Sequence, residues 1–285
     1  MKSDLSTRNP VCGDGERTIE SRTGKTDARI KFYNSWFCPC GQRAWVCLEV
    51  IQDKCGVGYE FIPIEPYVVD PDGGETKTPL PLEEKARQYP DFVSASPRGI
   101  VPAIRDGENK VNDSLVVCEY LADTFPEAQL LPETPIERAK CRMFWEHCAS
   151  QILPHFYKIL MFEDAQRDYA TLDFFQGLRR ADKMLSDMSP SGFFLGGDRF
   201  SIADLALAPW IQRIRPVLGA YRGLDFPSGP EYTRLLSWWE ALENFCPWKR
   251  CLVEDERLTR NYIGYAQGKA SNEMVKAVVK GNGRV

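Results

Sequence analysis

Cys38 stands between an aromatic run and a proline, in Phe32-Tyr33-Asn34-Ser35-Trp36-Phe37-Cys38-Pro39-Cys40-Gly41-Gln42-Arg43. Proline suits the first position of a helix, because its fixed φ fits and its missing N–H would be unpaired there anyway. The run therefore reads as strand, turn and helix start, with a sulfur at the helix entrance. Free N–H groups and the positive end of the helix dipole favour thiolate over thiol at that point. Thiolate is the nucleophilic form, so a cysteine reactive near neutral pH is expected here. Most free cysteines are small buried apolar groups, and the chain has 10 cysteines in all; the strand–Cys–Pro–helix setting singles out this one. Cys40 lies one residue short of the C-x-x-C redox spacing, and a disulfide between residues two apart would be strained.

Two strands and a helix must hold that sulfur. Residues 29–37 and 58–64 are rich in aromatic and β-branched side chains and read as strands. Between them, 41–54 carries Ala44, Cys47, Leu48 and Ile51 at helical spacing. This is a β-α-β unit, whose usual crossover makes the strands parallel. Residues 65–96 read as a long polar loop with turn signals at Asp70-Pro71-Asp72-Gly73-Gly74 and Thr78-Pro79-Leu80-Pro81. A strand at 99–104, a turn at Asp106-Gly107-Glu108-Asn109, a short strand near Val111 and a helix over 114–125 follow. That order predicts a thioredoxin-like α/β domain over 29–126, preceded by a flexible extension at 1–28. Three prolines within 126–135 mark a linker, placed at 127–135. Amphipathic segments near 136–164, 168–188, 201–220 and 230–246 predict an all-α domain over 136–254. Residues 255–285 read as a polar tail, with one weak helical stretch at Glu273–Val279.

The bulk composition, 43% apolar and 27% charged, is that of an ordinary soluble protein. A net charge of −4 gives no general reason to expect nucleic acid or an anionic membrane as partner. No apolar stretch reaches the roughly 18 residues that cross a bilayer. His147 and His155 lie far from Cys38 in sequence, and no pair of C-x-x-C units is present, so no metal site is expected. The first 26 residues carry Asp4, Asp14, Glu16 and Glu20 and lack the apolar core of a secretory signal. A reducing, cytoplasmic compartment is the expectation.

The segment Cys38-Pro39-Cys40-Gly41-Gln42-Arg43 resembles the Cys-Pro-Phe-Ala-Gln/Glu-Arg motif of cysteine-type, omega-like glutathione transferases, departing from it at Cys40-Gly41. Three further runs carry the likeness. Pro97-Arg98-Gly99-Ile100-Val101-Pro102-Ala103-Ile104 resembles the family's Val-Pro step, where the proline is cis. Asp113-Ser114 resembles the acidic–serine pair that opens a helix in this fold, and Asp198-Arg199-Phe200-Ser201-Ile202-Ala203-Asp204 resembles the folding motif of its helical domain. In that last run, Ser201 and Asp204 have capping-box spacing, which suits stability and not chemistry.

The resemblance implies a glutathione transferase fold, with glutathione as co-substrate and Cys38 as nucleophile. It places Phe37, Val101, Pro102, Asp113 and Ser114 around glutathione. The Val101 backbone would pair with the cysteinyl part, Ser114 with the γ-glutamyl carboxylate and Asp113 with its ammonium. It suggests Lys85 or Arg87 for the glycine carboxylate, and Arg213 and Trp239 for an acceptor pocket. It further implies a homodimer, a small hydrophobic or disulfide acceptor, and a monothiol cycle in which a second glutathione supplies the resolving thiol. Two alternatives stand beside this reading. A conjugating transferase would need a hydroxyl where Cys38 stands, and a non-catalytic module would have lost the site residues that this chain keeps.

Overall fold

The computed structural model describes residues 29–68, 78–269 and Val275. The extension at 1–28, the turn at Asp70–Gly74 and the stretch Glu273–Val279 other than Val275 lie outside the described residues. The first half is a four-stranded sheet in the order β2-β1-β5-β6. Its strands are β1 (Ile30–Asn34), β2 (Tyr59–Pro63), β5 (Ala103–Asp106) and β6 (Asn109–Asn112). β1 pairs parallel with β2 and antiparallel with β5, and β5 pairs antiparallel with β6. The last pair closes through Gly107, whose φ of 59° suits glycine.

Helix α1 (Pro39–Cys55) joins β1 to β2 and is buried continuously from Pro39 to Ile51. It is enclosed because α4 (Ser114–Thr124) packs on one side and the helical half on another. This explains the weak periodicity of its sequence, since a helix covered all round needs no polar face. It stops at Gly56, which adopts φ 69° and bonds to the carbonyl of Gln52.

Several sequence expectations are corrected. Residues 65–96 are not a long loop. They hold a strand pair, β3 (Tyr67–Val68) with β4 (Thr78–Pro79), and helices α2 (Leu82–Gln88) and α3 (Pro90–Ala95). Each element is too short for its periodicity to register, and α2 buries none of its residues fully. The strand expected over 29–37 ends at Asn34, and Ser35–Phe37 form the turn that delivers Cys38.

The helical half comprises α5 (Pro135–His147), α6 (Leu153–Met161), α7 (Asp164–Met188), α8 (Ala208–Gln212), α9 (Ala220–Arg222), α10 (Thr233–Glu243), α11 (Cys246–Lys249) and α12 (Asp255–Ala266). The single segment expected over 136–164 is split by a π-helical turn at Cys148–Ile152, next to Pro154, which has no N–H to donate. Ser201 and Asp204 form the expected capping box. Asp204 also accepts from the Phe194 N–H at 2.7 Å and the Trp238 Nε1 at 2.9 Å. Full burial pushes its carboxyl up to about 6 although these bonds oppose the shift.

A further correction concerns the tail. Asp255–Ala266 is a helix, α12, and it buries Leu258, Asn261 and Tyr262. Its outer face carries Asp255, Glu256, Arg257 and Arg260, so the average polarity hides a narrow apolar stripe. Among the described residues, no helix is long and apolar enough to cross a membrane, and no group of three His, Cys, Asp or Glu side chains could hold a metal.

Candidate active site

Cys38 caps α1 from an extended backbone conformation and is half-buried. Its sulfur accepts from the Gly41 N–H at 3.4 Å. Three groups hold the thiol below its ordinary value of 9.0, at about 7: the Cys40 S–H first, then the Gly41 and Cys40 N–H groups, with Arg213 adding a positive field. Burial opposes the shift. Cys40 moves the other way, well above the usual thiol range, because it donates to Cys38 and is itself buried. The pair thus divides its roles, with Cys38 as the anion and Cys40 as the proton-bearing donor.

Gly41 has a packing reason to be glycine. A Cβ there would lie 1.7 Å from Asn34 Oδ1, so the Asn34 amide occupies the space of a side chain. Asn34 is fully buried, and neither of its amide atoms has a hydrogen-bond partner in this structure.

Beside Cys40 lies a cavity of about 320 Å³ that draws its walls from both halves of the chain. Val101, Pro102, Asp113 and Ser114 line it, as do Arg98 and Asn112, while Trp145, Glu146 and Ala149 enter from the helical half. The Val101–Pro102 peptide is cis. Asp113 caps α4, accepting from the Leu115 N–H at 3.1 Å, in a backbone conformation with φ 77°. That region is sparsely populated for residues with a side chain and is held only where the surroundings over-determine it. Ser114 is buried, and its hydroxyl accepts from Arg43 Nη1 at 3.2 Å. Arg43 is itself fully buried between the Trp145 and Trp210 rings, and bonds the Leu205 and Ala206 carbonyls.

The remaining expected site residues are placed elsewhere. Phe37 stands in the Cys38 turn, its ring 5.7 Å from Tyr67 and its carbonyl accepting from Arg213 Nη2 at 3.1 Å. Lys85 donates to the Gly99 carbonyl at 3.0 Å, and Arg87 pairs with Glu84 on the exposed face of α2; neither lines the cavity. Arg213 and Trp239, expected together in one pocket, are apart. Arg213 is fully buried behind the Cys38 turn, bonding Gln42 Oε1 at 2.9 Å. Trp239 lines a separate cavity of about 700 Å³ with Phe226, Trp248 and Leu252. One side chain is fully buried and the other half-buried in the wall of another cavity, a distinction that helical spacing alone does not carry.

Several residues around Cys38 were missed by sequence reasoning. Tyr262 and Tyr265 of α12 place their rings 5.5 Å apart, and Tyr157 of α6 stacks 6.0 Å from Tyr265. The Tyr262 phenol faces Tyr157 and Arg213 and the Tyr265 phenol faces Tyr67, and burial pushes both phenols up, so α12 lies over the Cys38 turn. Arg257 adds a cation–π contact 4.1 Å from the Trp36 ring. The signal available was the spacing of Leu258, Tyr262 and Tyr265, which share one helix face.

Two family models match the chain in order: the N-terminal domain of glutathione S-transferases over 37–124 and their C-terminal domain over 163–241. Glutathione S-transferase Z2 of Arabidopsis thaliana is 30% identical over 192 residues, covering 65% of this chain and 76% of that protein. Glutathione S-transferase omega-1 of Mus musculus is 29% identical over 239 residues, covering 83% and 85%. Maleylacetoacetate isomerase of Rattus norvegicus is 30% identical over 195 residues, covering 66% and 81%. Among solved structures, glutathione transferase Omega 3C of Trametes versicolor superimposes with a TM-score of 0.69 at 28% identity, over 88% of this chain and 95% of that one. With both family domains matched in order and relatives at this identity over most of their length, the chain belongs to the glutathione S-transferase family and is omega-like within it.

Proposed function

We propose that the protein is a glutathione-dependent thiol transferase and reductase in which Cys38 is the nucleophile. The observation that carries this reading is the Cys38 sulfur at the α1 entrance, held near neutral pH as thiolate by Gly41, Cys40 and Arg213. The thiolate attacks the glutathionyl sulfur of a mixed disulfide. A Cys38–glutathione disulfide forms, and the acceptor thiolate departs and takes up a proton. A second glutathione thiolate then attacks the glutathionyl sulfur, giving oxidised glutathione and restoring Cys38. In a glutathione conjugate the same attack expels the carbon group as a carbanion, which is protonated.

Glutathione is read into the cavity beside Cys40, with the Val101 backbone on its cysteinyl part and Asp113 and Ser114 on its γ-glutamyl end. Of the hydroxyls near Cys38 in sequence, one is engaged by a carbonyl and the other is held neutral by burial, which favours a cysteine over a hydroxyl mechanism. Ser35 Oγ donates to the Ile64 carbonyl at 2.6 Å, and Tyr33 is buried with its phenol pushed up to about 12. A cytoplasmic location and a homodimer complete the reading.

The test is the Cys38→Ser variant with a glutathionylated substrate, followed by mass spectrometry of wild type after exposure to oxidised glutathione. Reductase activity is expected to collapse, and the adduct is expected on Cys38 alone. Undiminished reduction by the variant, or a Cys38–Cys40 link as the sole product, would sink the proposal.

A further inference from the structure

Arg213 stands just past α8 and is fully buried, yet its bonds run to neutral acceptors: Gln42 Oε1 at 2.9 Å, the Phe37 carbonyl at 3.1 Å and the Pro209 carbonyl. Its Nε is buried without a partner, and none of the ion pairs among the described residues includes it. A guanidinium does not give up its proton, and a buried charge is costly unless something nearby balances it. Phe37 directly precedes Cys38, so the bond to its carbonyl sets the cation against the Cys38 turn. Its field reaches the sulfur there, beside the larger effect of the Cys40 S–H. The other acidic groups facing Arg213 or Cys38 are Cys40 of α1, Tyr157 of α6, and Tyr262 and Tyr265 of α12. All four stay neutral near neutral pH, Cys40 as donor to Cys38 and by burial, the phenols by burial. Cys38 is the acid left to carry the balancing charge.

Gln42, buried in the first turn of α1, holds this arrangement. Its Nε2 donates to Gln212 Oε1 at 2.8 Å and to the Cys251 carbonyl at 2.9 Å. Two acceptors on the nitrogen fix the amide, so its oxygen is the atom that faces Arg213. An amide here orients the guanidinium without neutralising it, which a carboxylate would not do.

Resting on the reading of Cys38 as nucleophile, we infer that Gln42 is a positioning residue: it holds Arg213 against the Cys38 turn as a cation without a carboxylate partner, so that the Cys38 thiolate is its counter-ion. The consequence falls on the resolving step. In the Cys38–glutathione disulfide the Cys38 sulfur carries no charge, and Arg213 stands unbalanced. Attack by a glutathione thiolate on the glutathionyl sulfur forms oxidised glutathione and breaks the bond to Cys38. The electron pair of that bond returns to Cys38 as thiolate, and the cation is balanced again. Gln42 thereby makes Cys38 a better leaving group and keeps the adduct from accumulating.

The experiment compares Gln42→Glu with Gln42→Met in the full chain. Both break the bonds to Gln212 and Cys251, and only the first brings a charge. In Gln42→Glu the midpoint of Cys38 alkylation by iodoacetamide is expected to move from near 7 to about 8, because a carboxylate beside the cation cancels its field. In Gln42→Met it is expected to move less than half as far. Mass spectrometry in mixtures of glutathione and oxidised glutathione reads the adduct. Relative to wild type, Gln42→Glu is expected to favour the Cys38 adduct about tenfold at about pH 9, and not at all at about pH 5, where Cys38 is protonated in both proteins. A merely structural role would move the two variants alike and show no such pH dependence. Equal midpoints in the two variants, or an unmoved one in Gln42→Glu, would overturn the inference. Should Gln42→Glu fail to fold, Gln212→Glu keeps the bond from Gln42 and sets a carboxylate behind it; a smaller rise is expected, and no rise overturns the inference. Cys38→Ser separates the two proposals. If that variant still turns over disulfides while the Cys38 midpoint depends on the charge at residue 42, the catalytic reading fails and this one stands.

Discussion

Two sulfurs two residues apart divide their labour at the helix entrance: Cys40 keeps its proton and lends it to Cys38. A thiol lowered from 9.0 to about 7 is mostly protonated below that pH and mostly thiolate above it. Alkylation of Cys38 by iodoacetamide is therefore expected to rise with a midpoint near 7 and level off above it. Cys40→Ala removes the S–H donor, and the midpoint is expected to move toward the ordinary thiol value; an unmoved profile would show that Cys40 does not set it. Gly41 is the second residue of consequence. Gly41→Ala places a methyl on Asn34 Oδ1, and overpacking of this kind costs on the order of 1–3 kcal/mol. Because Asn34 has no hydrogen bond to lose, Asn34→Ala is expected to relieve most of that cost. A double-mutant cycle on thermal stability, with coupling near zero, would count against the contact.

At the scale of elements, the α1 entrance depends on groups far away in sequence. Gln42 Nε2 donates to Gln212 Oε1 at 2.8 Å and to the Cys251 carbonyl at 2.9 Å, and Arg213 bonds both Gln42 and the Phe37 carbonyl. Arg213→Met leaves those buried acceptors without a donor, a loss of about 3–5 kcal/mol for a broken buried charged network. It is also expected to raise the Cys38 midpoint, since the positive field of Arg213 is gone. A denaturant titration together with the alkylation profile checks both effects. The capping box offers a contrast, because it bears on stability alone. Asp204→Ala strips the partner from the Phe194 and Ser201 N–H groups and from Trp238, so a loss of about 2–5 kcal/mol is expected with the Cys38 midpoint unmoved.

For the whole molecule, α12 ties the end of the described chain to the site near its beginning. Arg222 bonds the Ala266 carbonyl at 2.7 Å and Thr259 Oγ1 bonds the Pro216 carbonyl at 2.6 Å, so the helix is fastened along its length. Truncation before Asp255 removes Tyr262 and Tyr265 from the Cys38 turn. Faster alkylation of Cys38 above its midpoint is expected, together with a lower melting temperature; an unchanged rate would mean that α12 does not limit access. Large apolar side chains stay exposed on α4, α5 and α7, namely Val116, Met143 and Leu172. A homodimer in sedimentation equilibrium is the corresponding expectation, and Met143→Glu is expected to weaken it.

Much of this was legible in the residues themselves. The strand–Cys–Pro–helix order and the Ser201–Asp204 capping box rest on local backbone chemistry, which a few neighbouring residues determine, whereas the Val101–Pro102 step and Asp113-Ser114 were legible through the family resemblance. What lies across the fold was not. Arg213 and Trp239 share a family likeness, but only packing decided that one is buried behind Cys38 and the other lines a different cavity. Lys85 and Arg87 look like anion binders until the turn at Gly99 and the neighbour Glu84 engage them. The tail became a cover because Leu258 and Tyr262 on a polar helix found a surface to bury against, and burial is a property of two surfaces meeting, which no single segment contains.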